Sequence, residues 1–154
     1  MAIPNPALAT LLKFRKQITF FDDMTPAEIS ELLYNIRFQR YEKGEVLFRQ
    51  GDNKTKEIYY LLKGEILLDV NNMRVATLDK PTLFGEMRAF IGEPRSATAT
   101  AGDGGATLIK FFIKESVENS EPRAFAKLYK NVVNELSKKI MDMNKKLLMS
   151  SRRR

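Results

Sequence analysis

Apolar positions along the chain follow three successive rhythms. Up to Tyr34 they fall at helical spacing, and Leu8, Leu11, Leu12 and Phe14 make one short amphipathic stretch. Thr25-Pro26-Ala27-Glu28 has the form of a capping box. Thr25 is the N-cap, Pro26 takes the first helical position, Glu28 the third, and Ile29, Leu32 and Leu33 supply the apolar stripe behind them. Residues 1–35 are therefore predicted to form N-terminal helices.

Over residues 36–115 the rhythm shortens. Runs rich in β-branched and aromatic residues cover 38–41, 46–48, 58–62, 66–70, 74–78, 98–101 and 107–113. Asn71-Asn72 has the composition of a two-residue hairpin turn, and Gly102-Asp103-Gly104-Gly105 marks another turn. Lys43-Gly44, Gln50-Gly51-Asp52 and Lys63-Gly64-Glu65 mark corners. Seven or eight short strands at about 8–12-residue spacing predict a sandwich or barrel, mainly β with flanking helices.

The third rhythm, over residues 120–149, predicts a long helix with Ser120 as N-cap and Glu121 and Pro122 in the first turn. Ala126, Tyr129, Val133, Leu136, Ile140, Met143 and Leu147 alternate at spacings of three and four, which is an a/d seam. Its first half suits packing on the chain's own strands or pairing with a second copy equally well. Beyond Leu136 a homodimer seam fits better, because a barrel this small offers little surface to so long a helix.

With 154 residues the chain has room for one domain and a core that needs no staples. It contains no His and no Cys. That removes disulfides, thiol nucleophiles, zinc–thiolate sites and Ser-His-Asp triads, so no metal site is expected and binding is favoured over catalysis. No run approaches the roughly 18 apolar residues of a membrane helix, and the N-terminus lacks the form of a signal peptide. The expected location is cytoplasmic. The net charge of +7 lies wholly in residues 110–154, with 12 basic and 5 acidic residues; the remainder carries 14 of each. Such an excess, ending in the basic tail 150–154, suits a solvated helix face or an attachment point for an acidic protein partner, nucleic acid or an anionic membrane. An evenly basic nucleic-acid surface is not indicated.

One segment fits neither strand nor long helix: Phe84-Gly85-Glu86-Met87-Arg88-Ala89-Phe90-Ile91-Gly92-Glu93-Pro94-Arg95-Ser96-Ala97-Thr98. Its apolar middle predicts a short helix opened by Gly85 and closed by Gly92 and Pro94. A glycine at such a turn lets an anion approach the backbone, and Arg95 could add a bidentate fork. Ser96 adds a hydroxyl, Ala97 leaves its N–H unobstructed, and Glu86 could accept from sugar hydroxyls. Together these groups suit a nucleotide. The same residues equally allow a buried Glu86–Arg95 ion pair beside an ordinary glycine turn.

The stretch FGEM…GEPRSATATA resembles the phosphate-binding cassette of the cyclic-nucleotide-binding domain family, and YEKGEVLFRQGD and IYYLLKGEI resemble that family's glycine-marked turns. The resemblance covers about residues 21–136. It implies an eight-stranded, jelly-roll-like β-roll with N-terminal helices, a cassette at 84–98 and a C-terminal helix that lids the base. It also implies a site of Phe84, Gly85, Glu86, Met87, Arg95, Ser96 and Ala97. Gly85 and Ala97 would offer N–H groups to the cyclic phosphate, Arg95 would neutralise it, and Glu86 would hold the ribose 2′-hydroxyl. Ser96 permits cGMP without demanding it, so cAMP is the favoured ligand.

Three features depart from the family pattern. Arg88 stands where a small residue is usual and is expected to point to solvent. Pro81 replaces a glycine, and no effector domain follows the last helix. The reading is a non-enzymatic cyclic-nucleotide sensor. Its rivals are a ligand-free scaffold or adapter of the same fold, a fragment of a larger regulated protein or transcription regulator, and a β-barrel enzyme.

Overall fold

The computed structural model describes residues 4–115 and 117–152. The chain divides into two compact units, one running up to Lys13 and from Leu33 to Lys114, the other taking Phe14–Leu32 and Glu115 onward.

The first unit opens with helix α1 (Pro6–Lys13), whose N-terminus is capped by Asn5. The Asn5 Oδ1 accepts from the Leu8 N–H at 3.0 Å, and its Nδ2 donates to the Ile36 carbonyl at 3.0 Å. An antiparallel sheet follows: β1 (Leu33–Tyr41), β2 (Val46–Phe48), β3 (Ile58–Val70), β4 (Met73–Leu78), β5 (Thr82–Phe84) and β6 (Thr98–Ile113). Strand order is β1-β6-β3-β4, with β2 also paired to β6 and β5 to β3. Between β5 and β6 lies the short helix α3 (Glu86–Ile91). This is the predicted β-roll architecture.

Details of the strands differ from the sequence-based expectation. The first begins at Leu33, so the N-terminal helical region ends earlier than residue 35. The predicted strands 58–62 and 66–70 are one strand, as are 98–101 and 107–113; with β5, which no predicted run covered, six strands stand among the described residues instead of seven or eight. The joints at Gly64 and at Gly102–Gly105 bend the chain without ending the pairing. β3 meets β6 in three blocks separated by register shifts at Leu61/Lys63 and Gly64/Ile66. Gly64 has φ of +98°, and a β-carbon there would collide with the Gly105 carbonyl. The Asn71-Asn72 hairpin holds as predicted: both residues have positive φ, 51° and 65°, and Val70 pairs with Met73. The core gathers Phe48, Tyr59, Leu61, Ile66, Phe84 and Leu108, with Ala99, Ala101 and Ala106 letting the strands approach.

The second unit holds two single 3₁₀ turns (Arg15–Gln17 and Thr19–Phe21) and helices α2 (Pro26–Leu32), α4 (Val117–Ser120) and α5 (Pro122–Arg152). The capping box on α2 is formed as predicted. The Glu28 N–H donates to Thr25 Oγ1 at 3.1 Å and the Thr25 N–H to Glu28 Oε1 at 3.0 Å. The long helix begins at Pro122, not at Ser120, which instead closes α4. Its buried residues are Ala124, Leu128, Asn131 and Val132. Asn131 Nδ2 donates to the carbonyls of Phe20 (3.0 Å) and Asp22 (2.8 Å), the Thr19 hydroxyl donates to Glu135, and Lys127 pairs with Glu28 at 3.0 Å. The a/d residues Tyr129, Val133, Ile140, Met143 and Leu147 are exposed. Arg153 and Arg154 of the basic tail lie outside the described residues. Among the described residues no helix is long and apolar enough to cross a membrane.

Candidate functional site

The cassette segment takes the predicted shape. Gly85 and Gly92, at φ of 80° and 76°, bracket the six-residue α3 in the left-handed region that glycine tolerates. Phe84, the last residue of β5, turns into the core and stacks on Tyr59 at 5.2 Å between centroids, and Phe48 lies 5.8 Å from Tyr59. Phe48 and Phe84 line a cavity of about 80 Å³ together with Gly85, Met87, Arg88, Arg95, Ser96 and Ala97. Pro81 lies exposed just ahead of β5, where its missing N–H costs no buried bond.

Arg95 is the centre of this arrangement, only 3% exposed. Its guanidinium lies 4.2 Å over the Phe48 ring. Nη1 donates to the Gly85 carbonyl at 3.0 Å, and Nη2 donates to the carbonyls of Glu57 (3.0 Å) and Thr55 (3.5 Å). The Glu57 carboxylate stands 3.3 Å from Nη2. The main chain is pinned as well: the Arg95 N–H donates to the Asp52 carbonyl and the Gly51 N–H to the Arg95 carbonyl, both at 2.8 Å. Burial pulls the guanidinium below its ordinary pKa. Tyr59, Glu57 and Asp52 oppose that shift, and Arg88 adds to it. The Tyr59 hydroxyl, buried nearby and close to Glu57, is pushed well above its usual range and stays protonated.

Of the other predicted site residues, Phe84 and Glu86 are buried, Met87 and Ser96 are exposed, and Ala97 is half-buried. Phe84, Gly85, Met87, Arg95, Ser96 and Ala97 meet around the same cavity, while Glu86 is not among its lining residues. The carboxylate set against Arg95 is Glu57, which sequence reasoning did not single out. Nothing in its local spacing marks it, because it lies in the irregular connection ahead of β3. Arg88, expected to point to solvent, is 8% exposed. Its Nη2 donates to the Asn53 carbonyl at 2.6 Å, which draws the side chain inward over the β2–β3 connection.

Residues 38–112 match the model of the family described as the cyclic nucleotide-binding domain. A cGMP-dependent protein kinase from Eimeria tenella is 30% identical over 89 residues, which are 58% of this chain and 9% of the kinase. The chain thus spans under a tenth of that relative. The catabolite activator protein of Thermus thermophilus superposes with a TM-score of 0.65 at 23% identity, over 86% of this chain and 63% of that one. The regulatory domain of Toxoplasma gondii PKA, crystallised with cAMP, gives 0.66 at 18% identity, over 86% and 50%. At these identities the structural likeness establishes the fold.

Proposed function

We propose that the chain, whose residues 38–112 match the cyclic nucleotide-binding domain model, is a regulatory cyclic-nucleotide sensor that acts by binding, not by catalysis. One observation carries the reading. A buried guanidinium is held by main-chain carbonyls beneath a cavity rimmed by Gly85, Ser96 and Ala97, and its Nε–H has no partner. A buried charged donor left unpaired is costly, and a phosphate oxygen would relieve that cost.

In this reading Arg95 neutralises the cyclic phosphate, Gly85 and Ala97 offer N–H groups to it, and Glu86 accepts from the ribose 2′-hydroxyl. Phe84 and Met87 line the same cavity. cAMP is the favoured ligand. Ser96 supports a second reading, because its exposed hydroxyl at the cavity rim could also contact guanine. The C-terminal helix then covers the base, and the gain of that contact in the bound state alone would drive the signal. Its exposed a/d residues suit a homodimer, and its basic end suits an acidic protein partner.

Calorimetry with cAMP and cGMP tests this directly. Saturable binding of a cyclic nucleotide that disappears in Arg95→Ala is the expected result, with the tighter of the two ligands deciding specificity. Absence of binding to both by the parent protein would favour the ligand-free scaffold. Hydrogen exchange follows the helix: protection should rise across residues 125–140 on addition of cAMP, and a response confined to the cassette would remove the lid.

A further inference from the structure

We propose that Arg88 is a second phosphate-binding cation of this site, and that it supplies the positive charge to which the ligand responds. The proposal rests on the cyclic-nucleotide reading and extends it to a residue at which this sequence departs from the family pattern. Three observations meet at Arg88. It lies more than nine-tenths buried, it lines the same cavity as Arg95, and its Nε–H, like that of Arg95, has no hydrogen-bond partner. Each guanidinium therefore keeps an unused donor buried in the wall of one small cavity.

The charges around the cavity sharpen the point. Arg95 already faces the Glu57 carboxylate at 3.3 Å, so much of its charge is balanced within the protein. Arg88 is held only by the Asn53 carbonyl, and among the described residues it forms no ion pair. Two guanidiniums in one buried pocket also repel each other, consistent with Arg88 contributing to the lowered pKa of Arg95. Burying such a cation without a counter-charge is unfavourable unless something else occupies the pocket. A cyclic phosphodiester brings one negative charge and two exocyclic oxygens, enough to accept from both guanidiniums. The volume of about 80 Å³ suits the phosphate group, with the rest of the nucleotide lying toward the open side.

Arginine side-chain spectra of the intact, ¹⁵N-labelled chain test this with cAMP and cGMP as probes. Two Nε–H resonances should move on saturation with the ligand that binds, and the Arg88 signal is the one absent from Arg88→Lys. In calorimetry Arg88→Met, which keeps the apolar stem and loses the charge, should bind at least tenfold more weakly. Arg88→Lys should recover part of the loss. The ligand-free Arg88→Met protein should melt no lower than the parent, a result that a purely structural role for Arg88 would not give. Movement of the Arg95 signal alone, or Arg88→Met binding as tightly as the parent or tighter, overturns the assignment while leaving the cyclic-nucleotide reading intact. No binding of either nucleotide by the parent protein overturns both.

Discussion

The Gly85 carbonyl accepts from Arg95 Nη1 at 3.0 Å, and a β-carbon on Gly85 would stand 3.0 Å from that same nitrogen. The absent side chain and the present carbonyl together fix where the guanidinium lies. Tyr59 and the Glu57 carbonyl close the same space at 3.3 and 3.4 Å. Gly85→Ala should therefore act twice. Positive φ in an alanine costs roughly 1–2 kcal/mol of stability, and displacement of Arg95 lowers ligand affinity. Denaturant titration and calorimetry on one preparation measure both, and a variant with parental affinity would show that the guanidinium position is not critical.

Arg95→Ala should lose about 2–5 kcal/mol of ligand affinity, roughly 30-fold to several-thousand-fold. Arg95→Lys should regain only part, since a point charge lacks the fork. Glu57→Gln should act in the opposite direction on binding. The carbonyls of Gly85 and Glu57 still hold the guanidinium, and its opposing charge is gone. Affinity for cAMP should rise while resistance to urea falls; a fall in both would show that the carboxylate serves to position Arg95.

Asn131 offers a test in the second unit. It is a buried amide on α5 donating to two carbonyls of residues 20–22. Asn131→Leu leaves both acceptors unsatisfied and should cost about 1–3 kcal/mol. Equilibrium unfolding checks the value, and an unchanged midpoint would mean that water replaces the amide.

Much of the fold was legible because some signals are local. The Thr25–Glu28 box and the Asn71-Asn72 turn each depend on residues within four positions, and the bracketing of α3 by Gly85 and Gly92 spans only eight residues. Other features depend on distant partners. Gly64 and Gly102–Gly105 resemble turns in isolation, but across the sheet they bend two long strands that remain paired. Tyr129, Val133, Ile140, Met143 and Leu147 of the a/d pattern are exposed, whereas α5 buries Ala124, Leu128, Asn131 and Val132. Asn131 is polar, so apolar periodicity cannot reveal it. Leu128 and Val132 are buried on that same face. Arg88 was misjudged because the group drawing it inward is a main-chain carbonyl, which leaves no mark in the sequence.

Stability should also depend on pH through Glu28. The Thr25 N–H, and after it Lys127, hold the Glu28 carboxyl below its ordinary pKa. Its contribution is thus full above the ordinary carboxylate range and is lost as pH falls through the lowered value. Glu28→Gln keeps the hydrogen-bonding form of the box but not the ion pair with Lys127. For so accessible a pair, the loss at pH 7 should be under about 1 kcal/mol. Urea titrations at neutral and acidic pH should converge for parent and variant once the carboxyl is protonated, and a pH-independent gap would assign the effect to hydrogen bonding alone.

Three carbonyls of the connection ahead of β3, those of Asn53, Thr55 and Glu57, take the bonds from Arg88 and Arg95. The backbone supplies those acceptors whatever side chains it carries. The connection is therefore specified by its length and path more than by its letters. Saturation mutagenesis should tolerate nearly any replacement at Asn53, Lys54, Thr55 or Lys56 apart from proline. Deleting or inserting a single residue there would shift every acceptor out of reach at once. Two chains sharing almost no identity across this stretch could hold the same pair of cations, whereas two differing by one gap could not.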